Sequence, residues 1–324
     1  MQRVELWCVA LLVCLILRPQ WSAAQSYPER PVKIVAGTAA GGQSDRLARL
    51  VAQGLGRIWG EAVVVEARAG ADGTIAAEYV AHSPPDGYTL LLAGQSNLAL
   101  VAAQGRDIRY DPIADFAPIC QVSVFDFGIA VGPQLEAKTL QDLVAWAKAN
   151  PSQASFAIPG AGALPHFLGV MFARTAGIEL RAVPYRGSAA GLADLIAGHI
   201  PIEITTTSDL VQMHKAGRIR VLATSDKARS PFLPDVPTFA EAGYNLVATG
   251  WYGMFAPAKT PPDIVARLNA VIVDAVHAAD TRDRLLAFGL QPTGTTAAEF
   301  AAIQKAASEQ WAPAVKASGF TPEE

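Results

Sequence analysis

Short apolar segments alternate with amphipathic helical segments along most of the chain. Residues 32–36 form an apolar run that predicts a strand, and apolar side chains then recur with helical spacing over residues 45–59. The same pattern predicts further strands at 62–66, 88–92, 119–124, 127–131, 155–158, 179–183, 200–204 and 219–223, and helices at 73–82, 139–149, 165–176, 188–197 and 208–216. Because parallel strands need covering crossovers, this rhythm predicts an α/β fold with mainly parallel sheets.

Two interruptions of the pattern predict a division into lobes. A strand pair is interrupted at Asp126, and Gly243 and Gly250 flank a short strand before the last third of the chain. That last third predicts a strand at 251–255 and helices at 261–278, 280–288 and 296–318. If the chain crosses twice between two lobes, lobe 1 comprises residues 27–125 plus 250–324 and lobe 2 comprises residues 126–249. We expect the ligand cleft of such a protein between the two lobes, where strand ends meet.

The N-terminus has the pattern of a secretory signal. Residues 6–17 are apolar, which is shorter than the roughly twenty residues of a membrane span, and Ser22-Ala23-Ala24 supplies the small residues of a cleavage site. We therefore expect residues 1–24 to be a signal peptide and the mature protein to be soluble and exported to the periplasm. An uncleaved anchor and a lipid anchor are the alternatives.

Composition and charge exclude several partners. Removing residues 1–24 takes away two arginines and one glutamate, so the formal net charge changes from −3 to −4. Such a chain has no general attraction for nucleic acid or for an anionic membrane surface. Cys120 is the only cysteine after residue 24, so an internal disulfide is impossible, and its apolar surroundings indicate an inert buried thiol.

The most informative segment is the glycine-rich turn 37–45, between the first predicted strand and helix. Its glycines fit neither the P-loop nor the dinucleotide-binding fingerprint. Ser44 or Asp45 is placed to cap the helix, and backbone N–H groups at a helix start favour a small anion. The turn therefore predicts a carboxylate ligand rather than a nucleotide.

Similar polar or glycine-rich turns follow other predicted strands. They comprise 94–97, 159–166, 185–188 and 205–209. In parallel sheets these turns gather along one edge, so together they predict a binding cleft. Arg186 is the first candidate for a cation facing the carboxylate, although an arginine in this position is often simply solvated. Trp251 and Tyr252 could form either a ligand wall or interdomain packing.

No catalytic or metal-binding motif is present in the sequence. There is no G-x-S-x-G elbow, no H-E-x-x-H helix and no cysteine–histidine spacing typical of metal sites. A non-enzymatic protein without cofactor or metal is therefore favoured. The alternative is an α/β enzyme that acts on a small carboxylate, with Asp45, His166 or Asp209 as acid or base.

Motifs along the whole mature chain resemble one family. They are the segments 27–35, 40–42 with Asp45, 63–66, 70–73, 85–91, 184–187, 234–238, 241–243, 250–253 and 256–261. In this order they resemble the Bug-type solute receptors, which are the extracytoplasmic subunits of tripartite tricarboxylate transporters.

The resemblance implies a two-lobed periplasmic binding protein of type II-like fold that closes on a small carboxylate. It implies delivery of that ligand to integral-membrane subunits by a protein that we expect to be monomeric; a role in sensing rather than transport is the alternative. The expected ligand-binding residues are Thr38, Ala40, Gly41, Gly42, Asp45, Ser96, Asn97, Gly160, Ala161, Gly162, His166, Tyr185, Thr205 and Asp209. The chain departs from the family at Gly37 and Thr38, where a proline and an aromatic residue are usual, and at Thr205, where an aspartate is common. These departures leave the identity of the ligand open.

Overall fold

The computed structural model describes residues 27–322. The predicted signal peptide 1–24, with its cleavage site, lies outside the described residues. None of the helices between residues 27 and 322 combines the length and apolarity that crossing a membrane requires.

Ten strands and nine α-helices account for most of the described chain. The strands are β1 Val32–Ala36, β2 Val63–Ala67, β3 Thr89–Gly94, β4 Phe116–Val131, β5 Ser155–Ile158, β6 Arg181–Pro184, β7 Ile202–Thr206, β8 Arg220–Thr224, β9 Thr249–Pro257 and β10 Gln291–Pro292. The helices are α1 Gln43–Trp59, α2 Thr74–Ala81, α3 Leu140–Ala149, α4 Leu164–Ala176, α5 Ser188–Ala197, α6 Thr207–Lys215, α7 Pro262–His277, α8 Ala279–Ala287 and α9 Ala297–Ala317. A 3-10 turn covers Ala71–Gly73 and a π-helical segment covers Ser96–Leu100.

The strands form a mixed sheet in the order β2-β1-β3-β9-β4-β7-β5-β6, and β8 and β10 also pair with β4. β1 pairs in parallel with β2 and β3, and β5 pairs in parallel with β6 and β7. The long central strands β4 and β9 pair antiparallel with their neighbours. The expected parallel arrangement therefore describes the two outer parts of the sheet, which the antiparallel strands join.

The expected break at Asp126 is wrong, because β4 is one continuous strand. Residues up to Asp126 pair with β9. Phe127–Val131 pair with β7, and Gly128–Val131 also pair with β8. The Asp126 side chain is buried, yet it accepts hydrogen bonds from the hydroxyls of Thr207 (2.9 Å) and Ser230 (3.3 Å). Burial raises the pKa of Asp126. Because two hydroxyls satisfy the carboxyl group, the strand can continue through it.

Helical and strand periodicities place the core on both faces of the sheet. In α1, Leu47, Leu50, Val51 and Leu55 are fully or almost fully buried, as expected for one apolar face of a helix. On the other side, Trp251 and Phe255 of β9 pack against Phe300 of α9, with ring centroids 5.1 and 4.9 Å from the Phe300 ring. This packing fixes the last helix against the centre of the sheet.

Candidate ligand-binding cleft

A cavity of about 670 Å³ lies where the turns after β1, β2, β3 and β5 converge. This volume is within the range of about 300–1,000 Å³ that small-molecule sites occupy. Its lining comprises Gly37, Thr38, Ala39, Ser44, Gly70, Ala71, Asp72, Gly73, Thr74, Gly94, Ser96, Asn97, Val101, Gln104, Arg106, Pro159, Gly160, Ala161, Gly162, Ala163 and Tyr252. The expected meeting of strand-end turns from both halves of the sheet is therefore present.

The turn between β1 and α1 forms one wall. A Cβ on Gly37 would lie 2.6 Å from Gly73 Cα, so only glycine lets this turn approach the segment that follows β2. The Thr38 hydroxyl lies 2.8 Å from the Ser44 hydroxyl and accepts a hydrogen bond from the Asp45 N–H at 3.3 Å. Thr38 and Ser44 thus present hydroxyl groups at the start of α1.

The expected capping by Ser44 or Asp45 is wrong. α1 begins at Gln43, with Gly42 as its N-cap and no side-chain cap, so both residues lie inside the first turn. Asp45 instead accepts a hydrogen bond from the Gly41 N–H at 2.8 Å and pairs with Arg49 at 2.9 Å. The hydrogen bonds from Arg49 lower the pKa of the Asp45 carboxyl, which stays ionised and holds the turn.

Four expected ligand contacts in this turn do not line the cavity. Gly41 and Asp45 hydrogen-bond to each other, and the Gly42 N–H donates to the Ala39 carbonyl at 2.9 Å. Ala40 is exposed outside the lining. In this arrangement Gly41, Gly42 and Asp45 shape the turn; a ligand contact by any of the four stays a prediction.

The segment after β2 forms a second wall. Ala71 and Asp72 adopt left-handed backbone conformations, with φ of 44° and 53°. For residues other than glycine, such conformations cost on the order of 1–3 kcal/mol each, so neighbouring contacts must hold them. The Asn97 side-chain amide donates to the Asp72 carbonyl, and the Arg106 guanidinium lies 2.5 Å from the Asp72 carboxylate.

The turn after β3 connects these walls. The Asn97 amide oxygen accepts a hydrogen bond from the Gly94 N–H at 3.2 Å, and the Tyr110 hydroxyl donates to the Asn97 carbonyl at 2.9 Å. The expected residues Ser96 and Asn97 both line the cavity. The neighbouring Gln95 is 2% exposed, and its side-chain amide has no hydrogen-bond partner within the described chain.

The opposite wall is the turn between β5 and α4. The expected residues Gly160, Ala161 and Gly162 line the cavity, and the Gln104 side chain donates to the Gly162 carbonyl at 2.9 Å. His166 lies behind this wall, where its Nδ1 accepts a hydrogen bond from the Gly162 N–H at 3.3 Å. Burial lowers the pKa of His166, which favours this neutral, accepting form.

Three further expected residues lie elsewhere in this arrangement. The Tyr185 hydroxyl donates to Asp194 at 2.8 Å, and the Thr205 hydroxyl donates to Asp209 at 3.1 Å. None of Tyr185, Thr205 and Asp209 lines the cavity, and Arg186 is exposed outside it. Their participation in binding stays a prediction.

Several lining residues were not among those expected from the sequence. Gly70 and Gly73 follow β2, so the rule that strand ends meet could have identified this segment. Gln104 and Arg106 follow no strand directly, and no local signal identifies them. Arg106 and Asp72 are the charged side chains among the described lining residues, and within residues 27–322 no group of three or more His, Cys, Asp or Glu side chains could hold a metal ion.

Comparison with known proteins identifies the family. Residues 47–320 match the model of the tripartite tricarboxylate transporter family receptor. The chain belongs to this family. Among its relatives is a UPF0065 protein of Bordetella bronchiseptica, 37% identical over 89% of this chain and 84% of the relative. Another relative, BugT of Bordetella pertussis, is 32% identical over 92% of each chain, which confirms the resemblance to the Bug-type receptors.

Several solved structures share the fold of this chain. Rpa4515 of R. palustris with adipate is 31% identical, with a TM-score of 0.75 and coverage of 92% of this chain and 100% of that chain. MatC of Rhodopseudomonas palustris with bound malate is 27% identical, with a TM-score of 0.73 and coverage of 89% and 100%. The periplasmic binding protein BugD is 31% identical, with a TM-score of 0.73 and coverage of 92% and 100%. The expected α/β, two-lobed binding-protein fold is confirmed, and the family is one of periplasmic solute-binding receptors rather than enzymes.

Proposed function

We propose that this receptor captures a small carboxylate between two lobes and delivers it to the integral-membrane subunits of a tripartite transporter. The observation that carries the proposal is the cavity enclosed by turns from both ends of the mixed sheet. Adipate and malate in the two R. palustris proteins support a carboxylate as the ligand class. We further propose export by the signal peptide 1–24 and function as a periplasmic monomer.

The proposed lobes are residues 27–125 plus 250–324 and residues 126–249. The partner change along β4 supports this division. β9 pairs with β4 up to Asp126, whereas β7 pairs with it from Phe127 and β8 from Gly128. A ligand that contacts both lobes has more contacts when the lobes are closed. It therefore shifts the equilibrium toward a closed form, which the membrane subunits would recognise.

Backbone dipoles and neutral side chains suit this ligand class. The cavity includes Ser44 in the first turn of α1 and Ala163, the N-cap of α4. At the N-terminal ends of both helices, backbone N–H groups and the positive end of the helix dipole face the cavity end of the sheet. A carboxylate held there needs few formal charges, in agreement with the sparse charge of the lining.

We propose direct ligand contacts by the expected residues that line the cavity. These are Thr38, Ser96, Asn97, Gly160, Ala161 and Gly162. Gly41, Gly42 and Asp45 would act by shaping the first turn, and His166 by holding the opposite turn. Ala40, Tyr185, Thr205 and Asp209 would reach a ligand only in a different arrangement of the two lobes.

The ligand that co-purifies with the protein tests this proposal. Native mass spectrometry of the purified receptor should detect a small organic acid, and the same acid should be recovered unchanged after denaturation. Conversion of that acid by the pure protein would instead favour the enzyme alternative. The three acid–base candidates do not favour it, because Asp45, His166 and Asp209 lie outside the cavity lining and are hydrogen-bonded to protein groups.

A matched pair of asparagine variants tests the location of the site. Asn97→Ala removes the hydrogen bond that joins the turns after β2 and β3 and a second one within the turn after β3. It should weaken carboxylate binding by about tenfold, as expected for two lost hydrogen bonds. The control is Asn245→Ala, at an exposed residue outside the cavity. Equal affinities of both variants and the wild type would contradict the proposed site.

A further inference from the structure

The cavity has an asymmetric ion pair on its wall. The Arg106 side chain is 21% exposed, whereas its partner Asp72 is 71% exposed. An ion pair in which one member is this accessible contributes little to stability, because water competes for both groups. The Asp72 carboxylate can therefore leave Arg106 at little cost.

Arg106 is held in place independently of Asp72. Its Nε donates to the Gln104 side-chain oxygen at 3.1 Å, and Gln104 is 4% exposed. Gln104 in turn donates to the carbonyl of Gly162 on the opposite wall. The guanidinium thus keeps its position when its terminal nitrogen exchanges one carboxylate for another.

Asp72, in contrast, lies on a strained segment. Asp72 and the preceding Ala71 both have positive φ, and the segment is flanked by Gly70 and Gly73, with φ of 135° and 89°. Such glycines permit a change of backbone conformation. Release of Asp72 from Arg106 would let this segment relax, which favours exchange over permanent pairing.

We propose that Arg106 binds a second carboxylate of the ligand, which displaces Asp72, so that this receptor selects dicarboxylates over monocarboxylates. This inference rests on the proposed function, since it assigns the ligand class of the same cavity. The first carboxylate occupies the helix starts at the turns after β1 and β5. The planar guanidinium offers paired N–H donors that match the second.

Ligand pairs that differ by one charge test this proposal. Calorimetric titration would compare succinate with monomethyl succinate, and adipate with monomethyl adipate. Whichever of succinate and adipate the wild type binds more tightly, it should bind that dianion at least about tenfold more tightly than the corresponding monoester. A hydrogen bond between charged groups implies a difference of this size. Arg106→Gln should reduce this ratio to about one while leaving affinity for the monoester within about threefold.

Two further variants make the result specific. Asp72→Asn removes the competing carboxylate and should increase affinity for the dianion by a few-fold. A decrease would mean that Asp72 supports the bound arrangement of Arg106 instead of competing with the ligand, which would overturn the proposal. Arg109→Gln, at an exposed arginine outside the cavity lining, is the matched control and should keep the wild-type ratio. The unfolding temperature of each unliganded variant verifies that it is folded.

The outcomes separate this inference from the proposed function. If monoesters and dianions bind equally to the wild type, or if Arg106→Gln weakens both equally, Arg106 does not select charge, although the receptor function stands. If none of the four acids binds and a broader set of carboxylates also fails, the proposed function fails with it.

Discussion

Glu203 offers a test of the energetics of lobe 2, because it is a buried carboxyl without a partner. It lies on β7 at 0% exposure, and within the described chain neither of its carboxyl oxygens has a hydrogen-bond partner. Its strand neighbours are Ala130 and Ala157, and a Cβ on Gly191 of α5 would lie 3.0 Å from its Oε1. Small residues thus leave room for the carboxyl group but supply no donor.

Burial, together with the charge of Asp209, raises the pKa of Glu203 from 4.5 to about 8. The folded protein therefore retains a proton that the unfolded chain releases above pH 4.5. Folding stability should fall as pH rises from 4.5 to 8, by about 1.4 kcal/mol per pH unit, and then level off. The loss is about 3 kcal/mol at pH 7 and on the order of 5 kcal/mol above pH 8.

Glu203→Gln removes this titration while keeping the shape of the side chain. The variant should match the wild type near pH 4.5 and exceed its free energy of unfolding by about 3 kcal/mol at pH 7. Urea unfolding at pH 5, 7 and 8.5 measures the difference. Glu61→Gln, at an exposed glutamate, is the control and should show no such pH-dependent gain. If Glu203→Gln is less stable than the wild type at pH 7 and 8.5, the prediction is wrong, because the ionised carboxylate must then be stabilised in the fold.

Three shorter predictions concern the cleft and the core. Gly42→Val should weaken carboxylate binding more than Asp45→Ala, because a Cβ at Gly42 would lie 2.6 Å from a hydroxyl of its own turn; calorimetric titration of both variants compares them, and the reverse order would contradict this account of the turn. Gln104→Leu should weaken binding by several-fold, since it removes the hydrogen bond to the Gly162 carbonyl that joins the two walls, worth about 1 kcal/mol; an unchanged dissociation constant would count against that link. Cys120 is 0% exposed and burial raises its thiol pKa to about 12, so the native protein should resist a thiol reagent at pH 8 that labels the urea-unfolded chain rapidly.

The pattern of apolar positions predicted most helices and strands, because helices bury one apolar face and strands such as 155–158 are buried throughout. The strand at 155–158 and the helix at 188–197 have the predicted bounds, and α1 differs from its prediction at the N-terminal end only. β4 was predicted as two strands, since a carboxylate in an apolar run usually marks an end. The hydroxyls that satisfy Asp126 come from residues 81 and 104 positions away, so the local pattern carries no sign of them.

The candidate site was predictable where a turn follows a parallel strand. Ser96, Asn97 and the turn 160–162 line the cavity for this topological reason. Arg106 was not predictable, because its position depends on the path of the irregular segment 101–115 and on a hydrogen bond to Gln104. The hydrogen bonds within the 37–45 turn were also not predictable. They pair Gly41 with Asp45 and Gly42 with Ala39, so these groups are satisfied within the turn rather than directed toward the cavity.

Ligand-dependent thermal unfolding tests the capture of a small carboxylate most directly. Mono- and dicarboxylates would be screened against the purified receptor, after removal of any co-purified ligand. At a hundredfold excess over its dissociation constant, a true ligand stabilises the folded state by about 2.7 kcal/mol, which should raise the unfolding temperature by roughly 5 °C. A rise with a small carboxylate, absent with neutral analogues of equal size, is the predicted result. Stabilisation by a neutral compound alone, with no carboxylate having an effect, would contradict the account.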